Sequence, residues 1–518
     1  MTTTSIHQNI AAQLLHVVRL FYPAYTGKAE RGEFSVIFEA ERECPRIECG
    51  TLDRGLKILI GADKYNFDNN YDNIIDKLIR KRQEIRFLAG SLYSALSKHT
   101  GRSLPWGSLT GIRPTKLVYE LLSGCQGDGG IDKPAKLVNT PVPLTTVLKE
   151  IGERYFVSQP KLELLGRVVE AQRGYMAEGE RPVNLYINIP VCPTRCGYCS
   201  FAAGTYKECK GYLDEYTDKL TQEIERDRER LRAGGYQVYS VYVGGGTPTV
   251  LSAPQLDKVL AAIGDTENTE FTCEAGRPDS IDGDKLSVLK ARGVNRICIN
   301  PQSFNDVTLA AVGRSHTAAD VVRAYELAQK YGFVINTDLI AGLAGESLSD
   351  FGYSVDAVLE LAPHNITVHT LSCKRGSEYA GQNTPSAARR RPPLSREGNF
   401  SNDIEISVMV DLAYNKLTAA GYESYYLYRQ KSQLGALENA GYTKPGYQCR
   451  NNISVMEETV SVLAAGAGGI SKLVKKQAAL GGSPHNTRIE RYANCKDIKL
   501  YLEQFEARYK AKAEFFFF

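Results

Sequence analysis

Three cysteines fall within eight residues of this chain, in the segment Ile189-Pro190-Val191-Cys192-Pro193-Thr194-Arg195-Cys196-Gly197-Tyr198-Cys199. A cubane 4Fe–4S cluster usually takes four thiolates. Three on one short loop wrap three irons and leave the fourth open. An open iron is what S-adenosylmethionine needs, since it chelates metal through its amino and carboxylate groups and is then split by an electron to give a carbon radical. The competing reading of the same spacing is a structural zinc site with a fourth ligand from elsewhere.

A second signal is Gly244-Gly245-Gly246-Thr247-Pro248. Glycines there let backbone N–H groups approach a carboxylate or hydroxyl closely. Alone such a run is more often a plain turn; it gains weight by following the cysteine loop in order. Glu274, Gln302 and Asp338 then stand at or within later strand-like runs, and Arg314 opens a helical region. Glu and Asp suit ribose hydroxyls, while Gln and Arg suit amide or carboxylate groups. Each alone reads as a structural hydrogen-bonder. Their joint position reads as a site.

The elements that must position these residues show a clear rhythm. Short β-branched or aromatic runs recur at Asn184–Ile189, Val238–Val243, Glu270–Glu274, Arg296–Asn300, Val334–Ile340 and Ile366–Leu371. Helical patterns lie between them at Lys210–Arg232, Pro254–Ile263, Gly283–Arg292, Ala318–Tyr331 and Ser347–Leu361. Alternation of this kind predicts right-handed βαβ units and a parallel sheet. Six units make an open barrel, short of the eight needed for closure, with ligands at the carboxyl ends of the strands. The predicted class is α/β: a partial (β/α)6 core over 181–385, an α+β domain over 1–180, and a mostly helical domain over 386–518.

The flanking regions read less sharply. Residues 1–180 carry a helix near 8–20, strand-like stretches at Glu33–Glu39 and Leu56–Ile60, a long helical pattern from Asn73 to Lys98, and a loop around Cys125–Pro143. A basic, proline-bearing linker, Ser386–Pro393 with Arg389-Arg390-Arg391, precedes a helix near 402–420. A tyrosine-rich strand (Tyr422–Tyr428), a glycine-rich turn (Gly466–Gly469) and a closing amphipathic helix follow. Four terminal phenylalanines, Phe515–Phe518, either tuck into a groove or form an exposed end.

Composition bounds the function class. The 518 residues are 43% hydrophobic and 24% charged, as in ordinary globular proteins. A formal charge of +4 makes no case for nucleic acid as the main partner, despite local runs such as Arg80-Lys81-Arg82. Met1–Gln8 has no basic n-region, and no apolar run is long enough to span a bilayer. A cytoplasmic protein is the expectation. The 12 cysteines follow no disulfide-scaffold spacing, which favours metal or redox chemistry for the clustered three and burial for most of the others.

These motifs carry a resemblance to a known family. The Cys192 loop with Ser200-Phe201, Gly244–Pro248 and Glu274-Ala275-Gly276-Arg277-Pro278-Asp279 resemble the oxygen-independent coproporphyrinogen III oxidase-like radical enzymes. So do Arg296–Gln302, Gly313-Arg314-Ser315-His316 and Asp338–Leu343, and beyond them His369–Leu371, Lys374–Ser377, Tyr428–Lys431 and Met456–Glu458. Trp106–Pro114 resembles the N-terminal region of one branch, the coproporphyrinogen dehydrogenases of the HemZ type.

The resemblance implies a tetrapyrrole substrate whose propionates are decarboxylated to vinyls, converting coproporphyrinogen III to protoporphyrinogen IX without oxygen. It implies Cys192, Cys196 and Cys199 as cluster ligands, with Tyr186 and Tyr198 flanking. Gly245, Gly246, Thr247 and Glu274 would contact one S-adenosylmethionine, Gln302, Arg314 and Asp338 a second, and the loop to Ile470 would close over the site. An electron donor such as a flavodoxin or ferredoxin is implied as partner.

One departure is plain: the established oxidases carry a fourth cysteine two residues beyond the third, where Phe201 stands here. A haem chaperone of the same superfamily is the rival reading, although Cys449-Arg450-Asn451-Asn452-Ile453 lacks that branch's histidine. A radical enzyme that methylates or opens haem is the third. Candidate haem ligands are His369 and Cys449, each equally a buried structural residue, and Tyr422, Tyr425, Tyr426 and Tyr428 either stack on a macrocycle or line a half-buried strand.

Overall fold

A computed structural model describes residues 13–22, 25, 29–31, 35–40, 44–52, 55–68, 77–109, 113–122, 142–177, 181–201, 204–372, 377, 400–430, 437–476 and 487–518. The basic run 389–391, the linker around it and the loop 125–141 lie outside the described residues. The chain divides into two compact units, residues 1–166 with 478–483, and residues 167–477 with 484–518.

The first unit holds an antiparallel meander of five strands in sequence order: β1 (Ala29–Arg31), β2 (Ser35–Phe38), β3 (Ile47–Leu52), β4 (Gly55–Ile60) and β5 (Asp63–Asp68). Helices α1 (helical over 13–21) and α2 (Lys77–Thr100) share a core with it that includes Phe21, Phe38, Ile58 and Leu92. The helices α3 (Pro114–Leu122) and α4 (Leu144–Tyr155) follow, and α5 (Gln159–Ala171) runs into the second unit.

The second unit is built on one eleven-stranded sheet. Its middle is parallel: β6 (Pro182–Ile189), β9 (Gln237–Gly245), β10 (Glu270–Cys273), β11 (Arg296–Cys298), β12 (Val334–Ala341) and β13 (Asn365–Thr370) are neighbours in that order. Between β6 and β9 lie the two-residue strands β7 (Val191–Cys192) and β8 (Gly204–Thr205), the short helix α6 (Tyr206–Cys209) and the long α7 (Leu213–Ala233). The later crossovers are α8 (Ala253–Ile263), α9 (Gly283–Ala291), α10 (Asp306–Ala311) with α11 (Ala318–Gln329), and α12 (Leu348–Leu361). Ser252, Thr317 and Ser347 start three of these helices with reciprocal capping boxes, which is why those boundaries are sharp. The six expected βα units are all present.

Residues 400–518 extend that same sheet at both edges. After α13 (Phe400–Ala419), β14 (Glu423–Tyr428) and β15 (Asn439–Thr443) add antiparallel strands beyond β13. After α14 (Arg450–Glu457), β16 (Ser461–Ala465) pairs in parallel with β6, a seventh parallel strand that the sequence reading did not foresee. The antiparallel β17 (Ile470–Lys476) and β18 (Thr487–Ala493) complete that edge, and α15 (Ile498–Glu503) and α16 (Phe505–Phe517) close the chain. More of the described residues here are helical than extended. The phenylalanine tail resolves as the end of α16: Phe516 is buried, Phe515 and Phe517 pack on the core, and Phe518 is 94% exposed.

Strand alternation divides the parallel sheet into two chemically different faces. Ile187, Val241, Val243, Phe271, Ile297 and Ile335 point one way, into a single apolar cluster with α7, α8, α9 and α11. Residues of the other parity are mostly polar or aromatic, Asn184, Tyr186, Tyr242, Glu270, Arg296, Asn336 and Asp338 among them. They make the site.

Candidate active site

The polar face is organised in layers along the strands. At the amino ends, Arg296 donates to Asn336 at 2.8 Å and Asn365 at 2.5 Å and pairs with Glu270 at 3.4 Å. Glu270 also accepts from the backbone N–H groups of Arg450 and Asn451 at 3.0 and 2.9 Å, so its carboxylate caps α14. The Cys449 thiol donates to the same carboxylate at 3.2 Å and is fully buried. That end of the strands is opposite the cysteine loop, which removes Cys449 as a haem ligand.

At the carboxyl ends, the cysteine loop follows β6 directly. Cys192, Cys196 and Cys199 are free and partly exposed. Burial pushes the Cys192 and Cys199 thiols up, and charge on neighbouring cysteines raises each further, so the group lies within electrostatic reach of itself. Among the described residues, no three His, Cys, Asp or Glu side chains gather around one point as ligands of a single ion. A cubane asks for something different, since each thiolate takes its own iron. The loop is fixed from two sides. Gly197 N–H donates to Val312 O at 3.1 Å, Thr194 Oγ1 to Gly313 O at 2.9 Å, and Cys199 N–H to Cys196 O at 3.0 Å.

The glycine loop packs against the cysteine loop through backbone. Gly246 N–H donates to Ile189 O at 2.8 Å and Thr247 N–H to Val191 O at 2.7 Å. A Cβ on Gly246 would come within 2.7 Å of the Val191 backbone, and Gly245 sits at φ +106°, so neither position tolerates a side chain. Thr247 Oγ1 donates to Cys192 Sγ at 3.5 Å. Asn188, which the sequence reading passed over, joins three elements. It accepts from Tyr186 OH at 3.2 Å, lies against Gly245, and donates to Ala467 O in the turn between β16 and β17.

Deeper on the polar face, Tyr186 stacks on Tyr242 with ring centroids 6.2 Å apart. Tyr242 OH donates to Glu274, which also accepts from Asn300 Nδ2 at 3.2 Å. Burial first, and the charge of Asp338 second, push the Glu274 carboxyl up to about 7. Asp338 faces His369 Nε2 at 3.5 Å, and His369 Nδ1 meets Tyr428 OH at 3.4 Å. Both ring nitrogens of His369 therefore have protein neighbours, which weighs against an axial ligand. Gln302 is held at φ +68° by a bridge to Leu339, and its buried Oε1 has no partner among the described residues. An off-region backbone with an orphaned acceptor is the kind of strain that concentrates at binding sites.

The sequence-expected residues therefore fall into two groups. Cys192, Cys196, Cys199, Gly245, Gly246, Thr247, Glu274 and Gln302 stand at the carboxyl ends of the parallel strands, and Tyr186 and Asp338 lie within β6 and β12. Tyr198 joins them from the loop, packing on Val312, Ile340, Leu343 and Leu371. Arg314 donates from its guanidinium to the carbonyls of Asn300 at 2.6 Å, Pro301 at 3.2 Å and Gly276 at 3.2 Å, while its buried Nε has no partner among the described residues. Ile470 begins β17 opposite Ala493 and is 43% exposed. Of the tyrosines, Tyr422 and Tyr425 are core residues bonded to Pro363 O and Asn452, whereas Tyr426 and Tyr428 stack along the polar side. The donor set fits an iron–sulfur cluster with an adjoining S-adenosylmethionine: three free thiols, a side-chain-free glycine wall, and polar atoms at Gln302 and Asn300 with no partner among the described residues. No helix among the described residues is long and apolar enough to cross a membrane.

Comparison with known proteins gives the family. Residues 186–358 match the family model of the radical SAM superfamily. The chain is 36% identical over 420 residues to the oxygen-independent coproporphyrinogen-III oxidase-like protein HemZ of Bacillus subtilis, covering 79% of this chain and 77% of that one. It is 31% identical over 278 residues to the heme chaperone HemW of Escherichia coli, covering 53% and 66% respectively. Among solved structures, the coproporphyrinogen III oxidase HemN from Escherichia coli aligns with a TM-score of 0.48 at 22% identity, over 66% of this chain and 73% of that one.

Proposed function

Because the chain belongs to the oxygen-independent coproporphyrinogen-III oxidase-like family of radical SAM proteins, we propose that it decarboxylates propionate side chains of coproporphyrinogen III to vinyls, giving protoporphyrinogen IX in the cytoplasm. The observation that carries the reading is joint position: three free thiols on the loop after β6, beside a polar sheet face holding Glu274, Gln302 and Asp338.

Cys192, Cys196 and Cys199 hold the 4Fe–4S cluster, and Tyr186, Gly245, Gly246, Thr247 and Glu274 line the S-adenosylmethionine beside it. When bound, these groups would supply a carbon radical able to take a hydrogen atom from a substrate propionate. The protein's own part is placement. Gly245 and Gly246 let backbone come close, and Tyr186 on Tyr242 covers the polar layer beneath. Glu274, its carboxyl pushed up to about 7 chiefly by burial, is held in place by the donors Tyr242 and Asn300. Gln302, Arg314 and Asp338 would take a second S-adenosylmethionine, with Arg314 also bonded to the backbone carbonyls of Asn300 and Gly276. A small redox protein such as a flavodoxin or ferredoxin supplies the electron.

The test is product analysis. With S-adenosylmethionine and a reductant under anaerobic conditions, the protein should release 5′-deoxyadenosine and carbon dioxide and form vinyl product from coproporphyrinogen III. Stoichiometric haem binding with no decarboxylation would replace the proposal with haem delivery, and deoxyadenosine formed only with haem, with the macrocycle altered, would point to a haem-modifying enzyme.

A further inference from the structure

Arg277 follows β10 and is 3% exposed, yet its guanidinium is split between two partners. One edge forks onto Asp279, with Nε to Oδ1 at 3.0 Å and Nη2 to Oδ2 at 3.1 Å. The other edge reaches the cysteine loop, where Nη1 lies 3.1 Å from Thr194 Oγ1 and 3.8 Å from Cys196 Sγ. Behind Asp279 stands His316, its Nδ1 3.7 Å away and its ring fully enclosed. Burial opposes the Asp279 charge, but His316 and Arg277 outweigh it and hold that carboxyl below the usual carboxylate range. Ser280 Oγ donates to Arg277 O at 2.7 Å and meets Thr249 Oγ1 at 2.6 Å, so the arginine's backbone is pinned to the segment that follows the glycine loop.

We infer that Arg277 sets the reduction potential of the cluster through Cys196, with Asp279 as the counter-charge that limits its effect. The inference rests on the cluster reading above. Reduction adds one negative charge to the cluster. An N–H group and a cation aimed at a ligating sulfur stabilise that added charge and make reduction easier. A carboxylate on the far side of the guanidinium works against it. The two residues therefore act with opposite signs, which a clamp that merely shapes the loop would not produce. Lysine in place of Arg277 keeps the charge but loses the fork.

The experiment is a redox titration of the anaerobically assembled protein, followed by the electron paramagnetic resonance signal of the reduced cluster, with iron counted in every sample. At the wild-type midpoint, R277Q should show an about tenfold lower ratio of reduced to oxidised cluster, equivalent to ~59 mV for one electron. D279N should move the ratio the other way, and R277K should fall between R277Q and wild type. An unchanged midpoint in R277Q and D279N, or shifts of the same sign, overturns the inference. Loss of iron in all three variants also overturns it, since Arg277 would then be a structural clamp. Wild-type protein that never assembles a cluster of about four irons fails the functional proposal instead, and the two failures are distinct.

Discussion

A buried charge cluster ties the C-terminal helix to the turn beside the site, and removing its cation is a sharp test of how that edge is held. Lys512 on α16 donates to Glu223 at 2.5 Å and Asp227 at 2.6 Å on α7, and to Ala464 O at 3.2 Å. Lys512 and Glu223 are each 1% exposed. The second oxygen of Glu223 accepts from Tyr501 OH at 2.7 Å and from Gly466 N–H at 2.9 Å. K512M leaves two carboxyls buried without their cation. Breaking a buried pair in this way costs about 3–5 kcal/mol, and at about 2 °C per kcal/mol for a large unit the apparent midpoint should fall by roughly 6–10 °C. The pH dependence is a second signature. Burial pushes Asp227 from 3.8 up to about 7, even with Lys512 drawing it down. A raised folded pKa favours the protonated form, so this group's contribution falls as pH rises from near 4 towards 7. Without Lys512 the folded pKa moves higher, and the loss continues above 7. The gap between K512M and wild type should therefore widen between pH 7 and pH 8, by up to ~1.4 kcal/mol. Thermal melts at pH 6, 7 and 8 measure both effects, and the triple variant E223Q/D227N/K512M should recover most of the stability. A K512M midpoint within about 1 °C of wild type, or a gap that shrinks with pH, would refute the reasoning.

Three other outcomes follow from the site. G246A forces a Cβ onto the Val191 backbone next to Cys192, so iron per chain should fall below half of wild type, with about 1–3 kcal/mol lost in denaturant unfolding. Q302G should be more stable than Q302A by about 1 kcal/mol, because only glycine relieves the positive φ, while both variants lose use of S-adenosylmethionine in a deoxyadenosine-release assay. Burial pushes the Glu346 carboxyl up to about 7, with Ser303 Oγ donating to it at 2.5 Å. Stability should thus decline from pH 4.5 to 7 by up to ~3 kcal/mol on its account, and E346Q should flatten that stretch of the melting profile.

What was legible in the sequence was what is local in it. The cysteine and glycine loops each occupy a few consecutive residues, and the six parallel strands read as apolar runs because one face is wholly buried. Strands β15 and β17, added next to the edges of the sheet, hid for a different reason. Asn439–Thr443 has no β-branched residue before its last position, and Ile470–Lys476 carries lysines at 472, 475 and 476 with no strict alternation of polar and apolar residues. The polar face had a signal that went unread, the period-two run Asn184, Tyr186, Asn188 within an otherwise aliphatic strand. Contacts such as Arg277 to Cys196 and Lys512 to Glu223, 81 and 289 residues apart, exist only once the sheet has formed.

The placement of those edge strands bears on where specificity resides. The residues assigned to cluster and cofactor stand on β6 and on β9 to β12, the middle of the sheet. The two borders of the polar face come from residues 400–518. On the β13 side, β14 brings Tyr426 and Tyr428 against Thr367 and His369. On the β6 side, the turn at Gly466 meets Asn188 and is held by the buried Glu223. A substrate that sits against a cofactor in the middle must be bounded by these borders. Under the proposed function, substitutions at Tyr428 should therefore alter which tetrapyrrole is accepted, with the deoxyadenosine released in the absence of substrate unchanged. The same substitutions on the central strands would abolish both.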